Sequence, residues 1–247
     1  MKTAAVLLAG GSGSRMGGKV KKQYLELAGK PLMVYALNTF QHSFVEELIL
    51  VAAPGDEDYV RREIVAKYGL DKVKAVVPGG RERYHSVHCG LQAVTDAGVI
   101  LIHDLARPFV TEEMIRRAVD EAMVSRAAVV GISVKDTIRI TDADGYGVET
   151  PKRSTLMAAQ TPQVFEAALV RECYDRLLAE EEAVLSGGTE ITDDGQVVEL
   201  FSDVRVKMVG GAASNIKVTV PEDLTAAEAI LRKLYANGEL RAPEVCV

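Results

Sequence analysis

Short apolar runs alternate along this chain with longer stretches whose apolar positions recur every three or four residues. The short runs are Thr3–Leu8, Glu47–Ala52, Lys74–Val77, Val99–His103 and Ala127–Val134. They are nearly continuous in Val, Ile, Leu and Ala and lack the strict alternation of a half-exposed strand. That pattern predicts strands buried on both faces. Between them, Pro31–Gln41 sets Leu32, Tyr35, Ala36 and Phe40 at helical spacing, with Pro at its start. Further helices are expected over Glu57–Tyr68, which stops before Gly69, and over Ser86–Ala97, with Val87, Leu91 and Val94 on one face. Another runs from a Thr111 cap to about Ser125, with Glu112 and Glu113 where they complement the helix dipole. Strands alternating with helices in this way predict a parallel sheet covered on both sides.

After Val134 the rhythm changes. Asp136–Thr141 and Tyr146–Thr150 flank Asp142-Ala143-Asp144-Gly145 and predict a polar hairpin. Such a hairpin between core elements reads as an arm leaving the core, and an arm needs a surface to pack on, such as a second subunit. The α/β pattern then resumes. A helix is expected over Phe165–Ala183, a polar loop over Ser186–Asp194 and a short helix near Gln196–Phe201. Strands are expected at Val204–Val209 and Ile216–Val220. Pro221–Tyr235 closes the pattern as a helix with Leu224, Ala227, Leu231 and Leu234 as its buried stripe. The expected fold is therefore α/β: a Rossmann-like, doubly wound, mostly parallel sheet with helices on both faces and a protruding β-hairpin arm. It forms one domain over residues 1–235, with the arm at about 136–155 and a frayed C-terminal tail at 236–247.

Composition narrows the class. At 247 residues and 48% hydrophobic, the chain can bury a full core without disulfide or metal staples. Its longest apolar runs fall far short of the ~20 residues that span a bilayer, and the N-terminal run reads as a core strand, not a signal peptide. Three widely spaced cysteines, Cys89, Cys173 and Cys246, form no disulfide framework or Cys-x-x-Cys pair and suggest a reducing, cytoplasmic compartment. A net charge of −6 argues against nucleic acid as a partner and makes any anion site a local basic cluster.

One such cluster follows the first strand. Residues 10–18 hold five glycines, with Arg15 among them. Bare backbone N–H groups at the carboxyl end of a strand form a cradle for phosphate. Neither standard nucleotide template fits it. The dinucleotide pattern meets Met16 where a third glycine is needed, and the P-loop pattern meets Val20 where the Mg²⁺-holding hydroxyl belongs. Farther on, Asp104 lies at the carboxyl end of an apolar strand, a position from which a carboxylate can hold Mg²⁺ or cap a turn. His103 inside that run reads as a satisfied core histidine. Lys217, between Ile216 and Val218, needs an anion or a route to water.

The run from Gly10 through Lys21-Lys22-Gln23-Tyr24 to Pro31 resembles the signature of nucleotidyltransferases that activate sugar or polyol phosphates. Further segments sharpen the resemblance. They are Pro78-Gly79-Gly80-Arg81-Glu82-Arg83 through Ser86, His103-Asp104-Leu105-Ala106-Arg107-Pro108, Asp136-Thr137, and Ala159-Gln160-Thr161-Pro162-Gln163. Thr192-Asp193-Asp194 and Asn215-Ile216-Lys217-Val218-Thr219 complete the set. Together, over about residues 3–235, they are similar to the 2-C-methyl-D-erythritol 4-phosphate cytidylyltransferases. Lys21 replaces that family's usual Pro, Lys152 stands where an Asp precedes Arg153, and Met157 replaces a common Trp.

The resemblance implies transfer of CMP from CTP to a polyol phosphate, with release of pyrophosphate. It implies that Arg15, Lys22, Arg153 and Lys217 act in catalysis, with Arg forking oxygens and Lys supplying a compact charge. Ala9, Gly10, Gly11, Gly13, Gly80 and Ser86 would face the nucleotide. Arg107, Thr137 and Thr161 would face the acceptor, and Asp104 would hold Mg²⁺ or another hard divalent cation. Arg153 and Thr137 would be presented across a homodimer built on the arm. Two alternatives stay open at this level: a cytidylyltransferase for another polyol phosphate, such as ribitol 5-phosphate, and a non-catalytic nucleotide-binding module. Turnover with each acceptor separates the first, and CTP binding without pyrophosphate release marks the second.

Overall fold

A seven-stranded sheet runs through the centre of the molecule in a computed structural model that describes residues 1–9, 24–220 and 222–246. Its strands are β1 (Thr3–Leu8), β4 (Glu47–Ala52), β5 (Val73–Pro78), β6 (Val99–Asp104), β7 (Ala127–Ser133), β10 (Met157–Glu166) and β11 (Lys207–Gly210). Their order across the sheet is β11-β7-β10-β6-β1-β4-β5. All pairings are parallel except those of β10, which runs antiparallel between β6 and β7. Short ribbons β2 (Glu26–Leu27) with β3 (Lys30–Pro31), and β8 (Ile140–Thr141) with β9 (Gly147–Glu149), lie outside it.

The near-continuous apolar strands have the physical basis the pattern implied. Ala5 and Leu7 of β1 enter one core, while Ala4, Val6 and Leu8 enter the other. The same split separates Leu48 and Leu50 from Ile49 and Val51, and Leu101 from Ile100 and Ile102. The first core is covered by α1 (Met33–His42), α2 (Glu57–Tyr59, continued as a π-helical stretch Val60–Ala66), α4 (Glu112–Ser125) and α8 (Glu222–Ala236). The second is covered by α3 (Arg83–Ala93), α5 (Ala167–Ala179) and α7 (Asp194–Phe201); α6 (Glu181–Ser186) follows α5. Thr111 caps α4 by accepting from the Met114 N–H at 3.3 Å, as expected.

Five sequence expectations change. Helix α3 begins at Arg83, not Ser86, because Glu82 and His85 form a reciprocal capping box. Phe165 and Glu166 belong to β10, which was not anticipated, and the helix after it starts at Ala167. Residues 216–220 form no strand; the segment is held by a bond from Val218 N to Ala106 O at 2.9 Å. The C-terminal tail is docked, not frayed. Leu240 joins the first core, Asn38 Nδ2 donates to Arg241 O at 2.9 Å, and Lys30 Nζ donates to Pro243 O. The hairpin forms on a shorter span than expected, with Asp142 N donating to Tyr146 O at 2.9 Å and the Asp142 carboxylate taking two further N–H groups. Pro221 lies outside the described residues.

Candidate active site

The carboxyl ends of β1 and β6 lie side by side, next to the middle of the antiparallel strand β10. Leu8 is in register with Asp104, and Leu105 N donates to Leu8 O at 3.0 Å. Ala9, tied to Val51 O at 2.8 Å, is the last described residue before the glycine-rich run. Gly10, Gly11, Gly13, Arg15 and Lys22 lie outside the described residues.

Asp104 is the hub. Its Oδ2 accepts from Lys217 Nζ at 2.7 Å and its Oδ1 from Arg83 Nε at 3.1 Å. Burial by itself would raise its pKa, but the Arg83 and Lys217 charges outweigh burial and hold the carboxyl well below the ordinary range. The backbone of Asp104 is fixed as well. Its N–H donates to Thr161 Oγ1 at 3.2 Å, and the Thr161 hydroxyl lies 2.9 Å from His103 Nδ1. His103 Nε2 faces the Arg107 carbonyl at 3.0 Å, so Nε2 carries the proton and the Thr161 hydroxyl donates to Nδ1. His103 is thus a satisfied core histidine, as the sequence indicated. Burial pulls its pKa down to about 4. Thr161 is buried, with its hydroxyl proton committed to that ring.

Lys217 is brought to Asp104 by side-chain bonds that staple its loop to an irregularity in β10. Asn215 Nδ2 donates to Thr161 O at 2.9 Å, and Gln160 Nε2 donates to Ala212 O at 3.0 Å and Asn215 O at 3.3 Å. Arg107 closes the same corner. Its guanidinium donates to Asn215 O at 2.9 Å and Ala159 O at 3.4 Å, both carbonyls. Its Nε is buried and has no partner among the described residues. Burial and the nearby Arg83 charge lower the Arg107 pKa, with Asp104 opposing them. Lys217, ion-paired and half-exposed, and Arg107, held among the described residues by carbonyls, make this corner receptive to an anion.

On the other side of Asp104, Pro78–Ser86 folds tightly against the first turn of α3. Gly80 N donates to Ser86 Oγ at 3.0 Å, and a Cβ on Gly80 would fall 2.3 Å from His85 Cβ. Gly80 and Ser86 are therefore adjacent, as a shared nucleotide-facing role requires. Thr137 and Arg153 lie apart from this cluster, exposed at the base of the arm, where Arg153 Nη1 donates to Lys135 O at 3.0 Å.

As a metal ligand, Asp104 does not fit this arrangement. Each of its oxygens already faces a cation, and the described residues contain no group of three or more His, Cys, Asp or Glu side chains placed to hold a metal. Two residues do more than the sequence assigned them. On its sequence Arg83 is a loop arginine that could touch phosphate, a common kind of exposed residue, and Asp194 counts only as part of the Thr192-Asp193-Asp194 motif. In the structure, Arg83 forks to both oxygens of Asp194 at 2.8 Å each. The available signal was that both fall inside motif segments. Gln163, from β10, sets Asp194 in place by accepting from its backbone N–H at 3.0 Å and from that of Gly195 at 2.8 Å.

Comparison with known proteins agrees with this architecture. The family model described as IspD, 2-C-methyl-D-erythritol 4-phosphate cytidylyltransferase, matches residues 3–233. A protein of that name from Lachnoclostridium phytofermentans is 41% identical over 232 residues, covering 94% of this chain and 97% of the relative. One from Lachnospira eligens is 42% identical over 229 residues, covering 92% and 98%. Among solved structures, the 4-diphosphocytidyl-2C-methyl-D-erythritol synthase of Anaerococcus prevotii superimposes with a TM-score of 0.80 at 33% identity, covering 94% of this chain and 96% of that one. The Thermus thermophilus 2-C-methyl-D-erythritol 4-phosphate cytidylyltransferase does so with a TM-score of 0.71 at 31% identity, covering 92% and 98%. With the family model matching residues 3–233 and relatives aligned almost end to end, this chain belongs to the 2-C-methyl-D-erythritol 4-phosphate cytidylyltransferase family.

Proposed function

We propose that this chain transfers CMP from CTP to 2-C-methyl-D-erythritol 4-phosphate, releasing pyrophosphate and forming 4-diphosphocytidyl-2-C-methyl-D-erythritol, a step in isoprenoid precursor synthesis. The observation that carries this is the family match across residues 3–233. In the reaction, an oxygen of the acceptor phosphate attacks the α-phosphorus of CTP as its bond to the pyrophosphate oxygen breaks. No covalent enzyme intermediate is needed, so the chain's task is positioning and fixed positive charge.

Lys217 and Arg107 bind the acceptor phosphate. The anion-receptive corner between them supports this reading. Ala9, Gly80 and Ser86 face the nucleotide at the neighbouring strand ends, with the glycine-rich run, Arg15 and Lys22 supplying the triphosphate side. Mg²⁺, or another hard divalent cation, is proposed as a counter-ion of the triphosphate, whose oxygens suit it, and not as a ligand of Asp104. Thr161 serves by fixing Asp104.

The arm is proposed to join two copies, each offering Arg153 and Thr137 to the other's acceptor. Ile138, Ile140, Tyr146 and Val148 are all exposed on it, an apolar surface that a second subunit would cover. No described helix is long and apolar enough to cross a membrane, and the three cysteines are free, which suits the cytoplasmic location we propose.

Pyrophosphate release measured with CTP and 2-C-methyl-D-erythritol 4-phosphate tests the reaction. Saturable release is expected. Release only with ribitol 5-phosphate would reassign the acceptor, and CTP binding without release from either would end the catalytic reading.

A further inference from the structure

The ion pairing around Asp104 continues well beyond Lys217. Arg83, the first residue of α3, contacts Asp104 through Nε and Asp194 through both terminal nitrogens. Asp194, the first residue of α7, is fully buried and also accepts from the Tyr174 hydroxyl of α5 at 2.5 Å. The row Lys217, Asp104, Arg83, Asp194 therefore alternates in charge from the anion-receptive corner down into the second core, where the neutral Tyr174 hydroxyl closes it.

This row constrains Asp104 in a specific way. A carboxylate is free to turn about its last bond, and each turn would carry the Lys217 ammonium to a new position. Arg83 takes Oδ1 and leaves Oδ2 for Lys217. Arg83 itself is kept from swinging, because its fork to Asp194 engages both of its terminal nitrogens. Asp194 in turn is fixed by Gln163 through the backbone N–H groups that open α7. A lysine at position 83 would keep the charge but could not fork to one carboxylate while holding another.

We infer that Arg83 is a positioning residue for cytidylyl transfer: it touches neither reactant, but orients Asp104 and, through Asp104, the Lys217 ammonium that meets the acceptor phosphate. The inference rests on the reaction proposed above and adds a residue from the nucleotide-facing loop to control of the acceptor.

A double-mutant cycle over Arg83→Lys and Lys217→Ala tests it, with kcat and both KM values measured and thermal unfolding recorded for each variant. Arg83→Lys is expected to raise the acceptor KM by roughly tenfold or more, the scale of a lost charge-assisted contact, and to leave the CTP KM within about twofold. In the Lys217→Ala background the same change is expected to shift the acceptor KM by less than about twofold, since the group it positions is gone. Equal fold-changes in both backgrounds would overturn the inference. So would a fall in kcat or melting temperature with an unchanged acceptor KM, which is the signature of a merely structural ion pair. Should Arg83→Lys fail to fold, Asp194→Asn keeps Arg83 and loosens its fork, and the same split is expected from it; an unchanged acceptor KM there overturns the inference equally. A wild-type chain with no turnover on CTP and 2-C-methyl-D-erythritol 4-phosphate would instead remove the underlying reaction, and the positioning role with it.

Discussion

His103 shows what one buried side chain contributes to this site and what it costs. Its ring bridges Thr161 and the Arg107 carbonyl, so it braces the two segments that flank Asp104. Burial holds its pKa at about 4, against an ordinary value of 6.5. Between those two values the unfolded chain binds a proton that the folded chain refuses. The folded-state pKa is depressed for a base, so stability is greatest above pH 6.5 and is lost progressively as pH falls toward 4, by at most about 3 kcal/mol. Asp104, whose pKa is also depressed, contributes its loss only below the ordinary carboxylate range and does not distort this window. Urea unfolding midpoints between pH 7.5 and 4.5 should fall more steeply for the wild type than for His103→Gln; parallel curves would show that the imidazole does not stay neutral. At this scale the sequence was partly legible. A histidine inside an apolar run has little choice but satisfaction. Arg83 was harder, because its burial depends on Asp194, 111 residues away, and a local pattern does not report a partner at that distance.

Secondary-structure elements were readable where a single face or a pair of faces decides burial. Helices α1, α4 and α8 and the parallel strands fall close to their expected spans because their periodicity is set by the two cores. Strand β10 was not legible: Gln160, Pro162 and Gln163 interrupt its apolar pattern. The structure tolerates them because the register slips between Ala159 and Gln163, and there Pro162 need not donate to the ladder. That same slip frees Gln160 and Gln163 to staple the Lys217 loop and α7, so the least strand-like residues of β10 are the ones that build the site. The reverse error at 216–220 has a related cause. Ile216, Val218 and Val220 look like a strand, but the segment is held by local bonds to Ser214 and Asp223 and by Val218 N to Ala106 O beside the Asp104–Arg107 turn, and pairs with no strand of the sheet. Helix α3 carries a further element-scale prediction. It approaches the sheet at Gly90, where a Cβ would lie 2.3 Å from Val6 Cγ1 and 2.9 Å from Val51 Cγ2, both β-branched core side chains that cannot swing aside. Gly→Ala inside a helix ordinarily stabilises it by about 1 kcal/mol. Here the clash should win, with Gly90→Ala costing about 1–3 kcal/mol in denaturant unfolding. A more stable variant would mean that α3 stands farther from β1 than the structure places it.

At the scale of the whole molecule, one chain leaves its proposed chemistry unfinished. Asp104, Lys217, Arg107, Gly80 and Ser86 converge at the strand ends, while Arg153 and Thr137 sit exposed on an arm that extends from the core with apolar side chains facing solvent. Both features are accounted for if two copies exchange arms around a twofold axis, since each exposed face then meets its equivalent and each arm reaches the other's acceptor corner. Arg153→Ala and Lys217→Ala would each reduce both sites of their own homodimer to a small residual turnover. In a mixed dimer, the site built on the Arg153→Ala chain keeps its own Lys217 and receives an intact Arg153 from its partner, so it is whole; the other site carries both defects. Unfolding and refolding the two impaired variants together at equal concentration should therefore restore about a quarter of wild-type activity, because half of the dimers are mixed and each has one working site. If Arg153 instead serves the chain that carries it, every site in every dimer holds one defect, and mixing restores nothing. A monomer in size-exclusion chromatography with light scattering would exclude the exchange directly.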